Sequence, residues 1–314
     1  MIDFRYHLVS LIAVFLAVAL GIVIGTTQLN QPILNDIRNQ VTDLEQDKRA
    51  LEDQTQALQT QVDTANSFQD EVAPALVRNS LEGRSVLLVA TGEEVGPETI
   101  EEVTALVAEA GGSVSGVVRL TPGYTDPSSE AGLQSYVTGS GLPAGIQLPE
   151  DGDAGALVAA LLAQVLMVPA GGAAPDTAAA SSVLAGLVSL DVLSQETAAV
   201  APADFAVVLT SGEIDGEDPE RRNAALVQLV TALDTTGSGA VVAGNAASAG
   251  DAGLVGAIRA DPALAATVST VDNIGTAVGR ISAVLALPRE AEGTSGSYGT
   301  GQDTQPVPPV PAAP

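Results

Sequence analysis

The side chains that most often carry catalysis or bind transition metals are scarce in this chain. It contains no cysteine, one histidine, His7, and two methionines, Met1 and Met167. Without cysteine there is no disulfide, no thiolate metal ligand and no thiol nucleophile. Because His7 lies beside an apolar N-terminal segment, the rest of the chain cannot form a Ser-His-Asp or Cys-His site. We therefore predict that the protein is not an enzyme.

Carboxylates are the remaining candidates, and several of them follow predicted strands. Glu93 and Glu94 lie in the turn 90–96, where a dinucleotide-binding protein would have the sequence G-x-G-x-x-G. Two negative charges there would repel a phosphate, so no cofactor is predicted, and we interpret both residues as solvating the start of the next helix. The acidic loop 213–218 lacks the spacing of a Ca²⁺ loop, so a solvated turn is favoured over a metal site. Asp272 is predicted to cap the last helix.

The charge of the chain excludes one class of partner. The formal net charge is -26, and Lys48 is the only lysine. Proteins that bind nucleic acid need a basic surface to neutralise phosphates. We therefore predict no nucleic-acid partner.

The first hydrophobic segment, residues 8–25, contains no charged residue. As a helix it would be about 27 Å long, close to the roughly 30 Å hydrocarbon core of a bilayer. A cleaved signal peptide is the alternative, but it would have a shorter apolar stretch before its cleavage site. We favour an uncleaved signal anchor in the lipid of the cell membrane. The short flank, residues 1–7, favours a cytoplasmic N-terminus with the bulk of the chain outside the cytoplasm.

Small residues recur every four positions within this segment, at Ala13, Ala17, Gly21 and Gly25. They share one helix face, and the last two form a G-x-x-x-G match, which lets two helices approach closely in lipid. The alternative is that alanine and glycine are simply abundant in this chain. Both interpretations stay open, and the first of them predicts a helix-packing face in the membrane.

A heptad repeat follows over residues 34–72, after Pro32, which we predict to begin a new helix. With leucine at three of the six d positions and polar residues at three of the six a positions, the pattern favours a parallel two-stranded coiled coil, and hence a homodimer. A single amphipathic helix lying on its own globular domain would need a wider apolar stripe. The predicted dimerisation residues are Leu34, Ile37, Val41, Leu44, Leu51, Leu58 and Val62.

After the repeat the hydrophobic pattern changes to strands that alternate with helices, which predicts an α/β domain over residues 83–290. We expect a Rossmann-like or flavodoxin-like parallel sheet with helices on both faces. The remaining residues, 291–314, are rich in Gly, Ser, Thr and Pro and are predicted to be a disordered tail. Strands are predicted at 85–90, 114–120, 205–209, 239–244 and 267–271, and helices at 97–110, 156–168, 178–193, 219–233, 251–260 and 273–287.

The arrangement resembles the MctB-type (mycobacterial copper transport protein B) copper-transport family of actinobacteria. The similar features are the N-terminal pattern 7–17 leading into Gly21 and Gly25, the coil behind it, and the stretch 269–273 opening a helix that ends at 284–287. The resemblance covers nearly all of residues 1–290. It implies a role in copper homeostasis, described in that family as export across the cell envelope, with an outer-membrane location as a second possibility.

Ligand chemistry does not readily support direct copper binding. Copper(I) prefers thiolate, thioether or imidazole ligands, and copper(II) prefers imidazole or mixed nitrogen and oxygen donors. Because Met167 lies in an apolar helical pattern, we predict it to be part of the core. An indirect copper effect, through oligomers or an envelope protein partner, fits these residues better. The alternative function is a dimeric scaffold that regulates envelope or septal peptidoglycan enzymes through its α/β domain.

Overall fold

The computed structural model describes residues 4–214 and 218–309, without the side chains of residues 4, 5 and 26–35. The chain divides into two compact units, Met1–Ala65 and Asn66–Pro314. We call the described part of the second unit the head.

The N-terminal helix α1 runs from Phe4 to Val77 without interruption. The prediction that Pro32 begins a new helix is therefore wrong. A proline inside a helix removes one backbone hydrogen bond, and here the helix-forming residues on both sides continue across that gap. The last turns of α1 belong to the head, where Ala73 and Val77 are buried.

A seven-stranded sheet forms the centre of the head, in the order β3-β2-β1-β4-β5-β6-β7. Alternation of strands and helices produced the α/β prediction, and the structure confirms that fold class. The parallel strands β2, β1, β4, β5, β6 and β7, numbered among themselves, have the order 2-1-3-4-5-6, and its first five members have the 2-1-3-4-5 order of a doubly wound sheet. The strands are β1 Ser85–Ala90, β2 Ser113–Leu120, β3 Leu193–Gln195, β4 Phe205–Leu209, β5 Ala240–Ala243, β6 Ser269–Val271 and β7 Ser297–Tyr298.

The sheet is mixed rather than fully parallel, which corrects the prediction. Strand β3 pairs antiparallel with β2, at the edge of the sheet. Asp191, with φ of 56°, lies in the turn before β3, and its carbonyl accepts a hydrogen bond from Thr121 Oγ1 at 2.5 Å. A strand of three residues is too short to show an alternating pattern, so the sequence assigned Leu193 to the preceding helix.

Helices cover both faces of this sheet, as predicted. Leu87 and Val89 point into one buried cluster with α3 to α7, while Val86 and Leu88 point into the other with α2, α9 and the end of α1. Side chains that alternate between two buried faces explain why β1 is apolar throughout. The helices after α1 are α2 Pro97–Glu109, α3 Glu130–Val137, α4 Ala154–Leu166, α5 Thr177–Ser189, α6 Pro219–Thr236, α7 Leu254–Ala260, α8 Pro262–Ala265 and α9 Ala277–Ala291.

The C-terminal segment differs from the predicted disordered tail in its first part. Helix α9 continues past Pro288 to Ala291, and β7 adds to the sheet beside β6. Backbone N–H groups of Thr300 and Gly301 donate to the Asp272 carboxylate at 2.7 and 3.0 Å. Composition alone predicted disorder because it does not show these long-range contacts. Residues 310–314 of the predicted tail lie outside the described residues.

Candidate functional site

The predicted dimerisation residues form an exposed apolar stripe along α1. The described side chains of this seam, from Ile37 to Val62, are exposed by 49 to 69% in the single chain. The side chain of Leu34 lies outside the described residues. We call this stripe, with the polar residues Lys48 and Thr55 that interrupt it, the α1 seam. Its described apolar members are Ile37, Val41, Leu44, Leu51, Leu58 and Val62.

Two ion pairs lie near the centre of the α1 seam. Lys48 Nζ lies 3.4 Å from Glu52 Oε1, one helical turn further along, and all of these groups face solvent. Arg49, outside the seam, pairs with Glu45 at 3.6 Å in the same way. Both pairs join residues four positions apart, but Lys48 belongs to the α1 seam and Arg49 lies outside it.

The N-terminal part of α1 contains the span that the sequence predicted. Tyr6–Gly25 has a mean hydropathy of 2.9, and none of that window is buried. A Cβ atom added at Gly21 or Gly25 would meet nothing within 4 Å, so this face is open to a neighbouring helix or lipid. Ala13 and Ala17 are exposed on the same helix.

The turn after β1 lies at the carboxyl end of the sheet, where doubly wound sheets bind ligands, and an arginine contacts it. Arg119 Nη1 donates to the carbonyl oxygens of Gly92 and Val95, the latter at 3.0 Å, and its Nε donates to Glu196 at 2.5 Å. The guanidinium holds the turn 90–96 by its backbone carbonyls. That this turn does not bind a dinucleotide stays a prediction from the sequence.

The two acids of that turn lie before the helix predicted to start at residue 97. Glu93 and Glu94 are exposed and precede α2, which begins at Pro97 after the cap Gly96. The acid within the first turn of α2 is Glu98.

Asp272 is buried at the end of β6 and does not cap α9, which corrects the prediction. Thr276 is the cap, its hydroxyl accepting from the Gly279 N–H at 3.1 Å. Burial acts to raise the pKa of Asp272, but hydrogen bonds from Arg259 and from two backbone N–H groups outweigh burial and lower the pKa. The Arg259–Asp272 pair, 2.7 Å apart, fastens the segment that follows β7 to the sheet.

A cavity of about 560 Å³ lies at the opposite, amino-terminal edge of the sheet. Asp234 and Glu290 line it, accepting from the backbone N–H groups of Ala240 at 2.9 Å and Ser269 at 2.7 Å. Burial, with a smaller contribution from the charge of Asp234, raises the pKa of Glu290 to about 7. These carboxylates join the ends of helices to the starts of strands.

The donor set for copper is poor in the described part of the chain. Met167 is fully buried in the core, as predicted, and His7 is exposed at the N-terminal end of the apolar span Tyr6–Gly25. Among the described residues, no group of three or more His, Cys, Asp or Glu side chains is placed to hold a metal ion. The acids at 215–217 in the predicted acidic loop lie outside the described residues. The residues that the structure describes do not fit a high-affinity copper site.

Comparison with known proteins decides the family. The family model described as "Copper transport outer membrane protein, MctB" matches residues 1–309. The chain belongs to the MctB family. This match confirms the resemblance that was inferred from the N-terminal and C-terminal motifs.

Relatives in the MctB family are similar over most of their length. Proteins named copper transporter MctB from Mycobacterium bovis and Mycobacterium tuberculosis are 35% identical to this chain over 252 residues, which is 79% of this chain and 80% of each relative. A protein of the same name from Mycobacterium leprae is 35% identical over 255 residues, with the same coverage. The family match includes the span, the long helix α1 and the α/β head.

The sequence did not predict a role for three charged residues, which are Arg119, Arg280 and Glu290. Arg119 is the one charged residue of β2, and the other two lie in the largely buried helix α9. A charge inside a buried element is costly unless it is paired, which was the available signal. The sequence could not identify the partners.

Proposed function

We propose that this protein acts in copper transport or copper homeostasis as a membrane-anchored protein of the cell envelope. The match of residues 1–309 to the MctB family is the observation that carries the proposal. The apolar span Tyr6–Gly25 supports a membrane location. No observation on the structure favours the scaffold function over this one.

A deletion strain tests this function directly. We expect reduced growth at raised copper and altered cellular copper, with recovery when the full chain is restored. Zinc serves as the control metal, because a general envelope defect would change tolerance to both. Unchanged copper tolerance and copper content, with chained or misshapen cells at ordinary copper, would instead support the scaffold alternative.

We propose further that the protein does not itself hold copper tightly and is not an enzyme. The absence of cysteine from the sequence and the burial of Met167 support this. Calorimetric titration of the full chain in detergent with copper should then give no stoichiometric binding at micromolar protein. A tight one-to-one isotherm would show that oxygen ligands or ligands from two copies form a site.

The α1 seam supports a third part of the proposal, a parallel coiled-coil homodimer. Six described apolar side chains repeat at a and d positions and are about half exposed in the single chain. Because the span lies on the same helix, two copies anchored in one membrane would have their helices parallel.

Substitutions in the seam test the dimer. Leu51→Glu and Leu58→Glu together place charges at two d positions, and we expect a monomer with a folded head by sedimentation of the full chain in detergent. Gln46→Glu with Thr60→Glu adds the same charge outside the seam and should leave a dimer. An unsubstituted chain that sediments as a monomer would refute the proposal.

A further inference from the structure

Lys48 is the one charged residue on the α1 seam between Ile37 and Val62, and it occupies an a position. Charge at an a position costs stability, because two copies bring the residue close to itself at the centre of the coil. Thr55, the other polar residue of the seam in this range, satisfies its hydroxyl within its own helix by donating to the Leu51 carbonyl at 2.7 Å. The Lys48 ammonium group, in contrast, is charged, and within its own helix it pairs with Glu52.

The charges at the e and g positions beside the seam explain why a lysine is favourable at this a position. In a parallel pair with equal register, a g residue of one helix faces the e residue of the next heptad on the other helix. This places Asp47 of one copy opposite Glu52 of the second copy, on both sides of the coil. The other two facing g and e pairs in this range contain Gln40 with Glu45 and Gln54 with Gln59, so only the Asp47 and Glu52 pair joins like charges.

Lys48 lies between these two acids. It already contacts Glu52 of its own helix, at 3.4 Å. In knobs-into-holes packing, the hole that receives an a residue is bordered by the preceding g residue of the partner helix, which here is Asp47. The long lysine stem reaches that border while its charge stays in water.

We propose that Lys48, Asp47 and Glu52 form an ionic layer that fixes the register of two copies of this chain. This inference rests on the proposed homodimer and adds the residues that determine its pairing. Each Lys48 offsets the repulsion between Asp47 of the second copy and its own Glu52. A slip of one heptad would place Lys48 opposite Val41 or Thr55 and beside a glutamine at g, and it would lose this compensation.

Charge reversal with rescue tests the layer in the full chain in detergent. Lys48→Glu should raise the dissociation constant of the dimer at least about tenfold, because three acids then meet on each side of the coil. The triple variant Asp47→Lys, Lys48→Glu and Glu52→Lys restores alternating charge and should recover most of that loss. Arg49→Glu is the matched control, since it makes the same charge change beside the seam and breaks an equivalent pair with Glu45.

Disulfide cross-linking of a single introduced cysteine measures the register of the two helices separately. Because the chain has no cysteine, Val62→Cys introduces the only thiol, and an a position facing itself allows a disulfide. We expect efficient cross-linking in the parent and the triple variant, and loss of cross-linking with Lys48→Glu. Equal effects of Lys48→Glu and Arg49→Glu, or a triple variant without recovery, would overturn the ionic layer while leaving the dimer. A monomeric parent chain would overturn the dimer itself and the layer with it.

Discussion

At the scale of single residues, Glu290 shows how burial changes a carboxyl group. It accepts from the Ser269 N–H at 2.7 Å, and Gly239 packs so closely that an added Cβ would lie 2.3 Å from Glu290 Cβ. Burial raises its pKa from 4.5 to about 7. The folded chain therefore binds a proton between these pH values that the unfolded chain does not bind, and the free energy of unfolding should fall as pH rises from about 4.5 to 7, by about 3 kcal/mol at most.

Glu290→Gln tests this residue, because an amide keeps an acceptor for Ser269 but does not titrate. We expect the variant to be more stable than the parent at pH 8 and nearly equal at pH 4.5, measured by urea unfolding at both pH values. Glu292→Gln, an exposed neighbour, controls for the change in net charge. Asp204 and Asp272 have lowered pKa values and contribute with the opposite sign at lower pH. A parent and variant with parallel pH profiles would contradict the prediction.

The environment of a single residue was predicted correctly where it depended on the hydrophobic period. Met167 lies in the core, as the apolar helical pattern around it indicated. The roles of Arg119, Arg280 and Glu290 were not predictable, because each depends on a partner far along the chain. Arg280 and Asp70, for example, are 210 residues apart.

At the scale of elements, period and length decided which features could be predicted. The strands β1 and β4 match their predicted bounds, since a short apolar run between turns has few alternative interpretations. Strands β3 and β7, of three and two residues, were missed because they carry no period of their own. Both pair at the edges of the sheet, where neighbouring segments and not local sequence determine pairing.

The contact between the end of α1 and α9 gives a prediction at this scale. Arg280, with a side chain only 9% exposed, lies 3.0 Å from Asp70 and 3.1 Å from Glu102, joining α1, α9 and α2 within the head. Arg280→Met removes the cation but keeps much of the stem. Because both acids are about half exposed, we expect a loss of about 2 kcal/mol in the free energy of unfolding, less than for a fully buried pair.

Asp70→Asn is the comparison for that measurement, because it removes one of the two acids and leaves Arg280 paired with Glu102. Urea unfolding of the full chain should show a smaller loss than for Arg280→Met. If Arg280→Met is as stable as the parent, the three helices are held by the apolar packing of their buried side chains and not by this ion pair.

At the scale of the whole molecule, the side of the membrane on which the head lies gives a prediction. We expect the head outside the cytoplasm, because the flank before the span, residues 1–7, is short. Charge next to the span gives little guidance, since Arg38 and Asp36 follow it at a distance and oppose each other. Because the chain has no cysteine, single cysteines report the side directly.

Gln56→Cys lies on an exposed part of α1 after the span, and His7→Cys lies near its other end. In right-side-out membrane vesicles, a maleimide that cannot cross lipid should label Gln56→Cys at once and His7→Cys only after detergent is added. The parent chain, which has no thiol, measures background. The reverse pattern would place the head in the cytoplasm, where it could not act on copper in the outer envelope, and labelling of both sites without detergent would mean that Tyr6–Gly25 does not cross the bilayer.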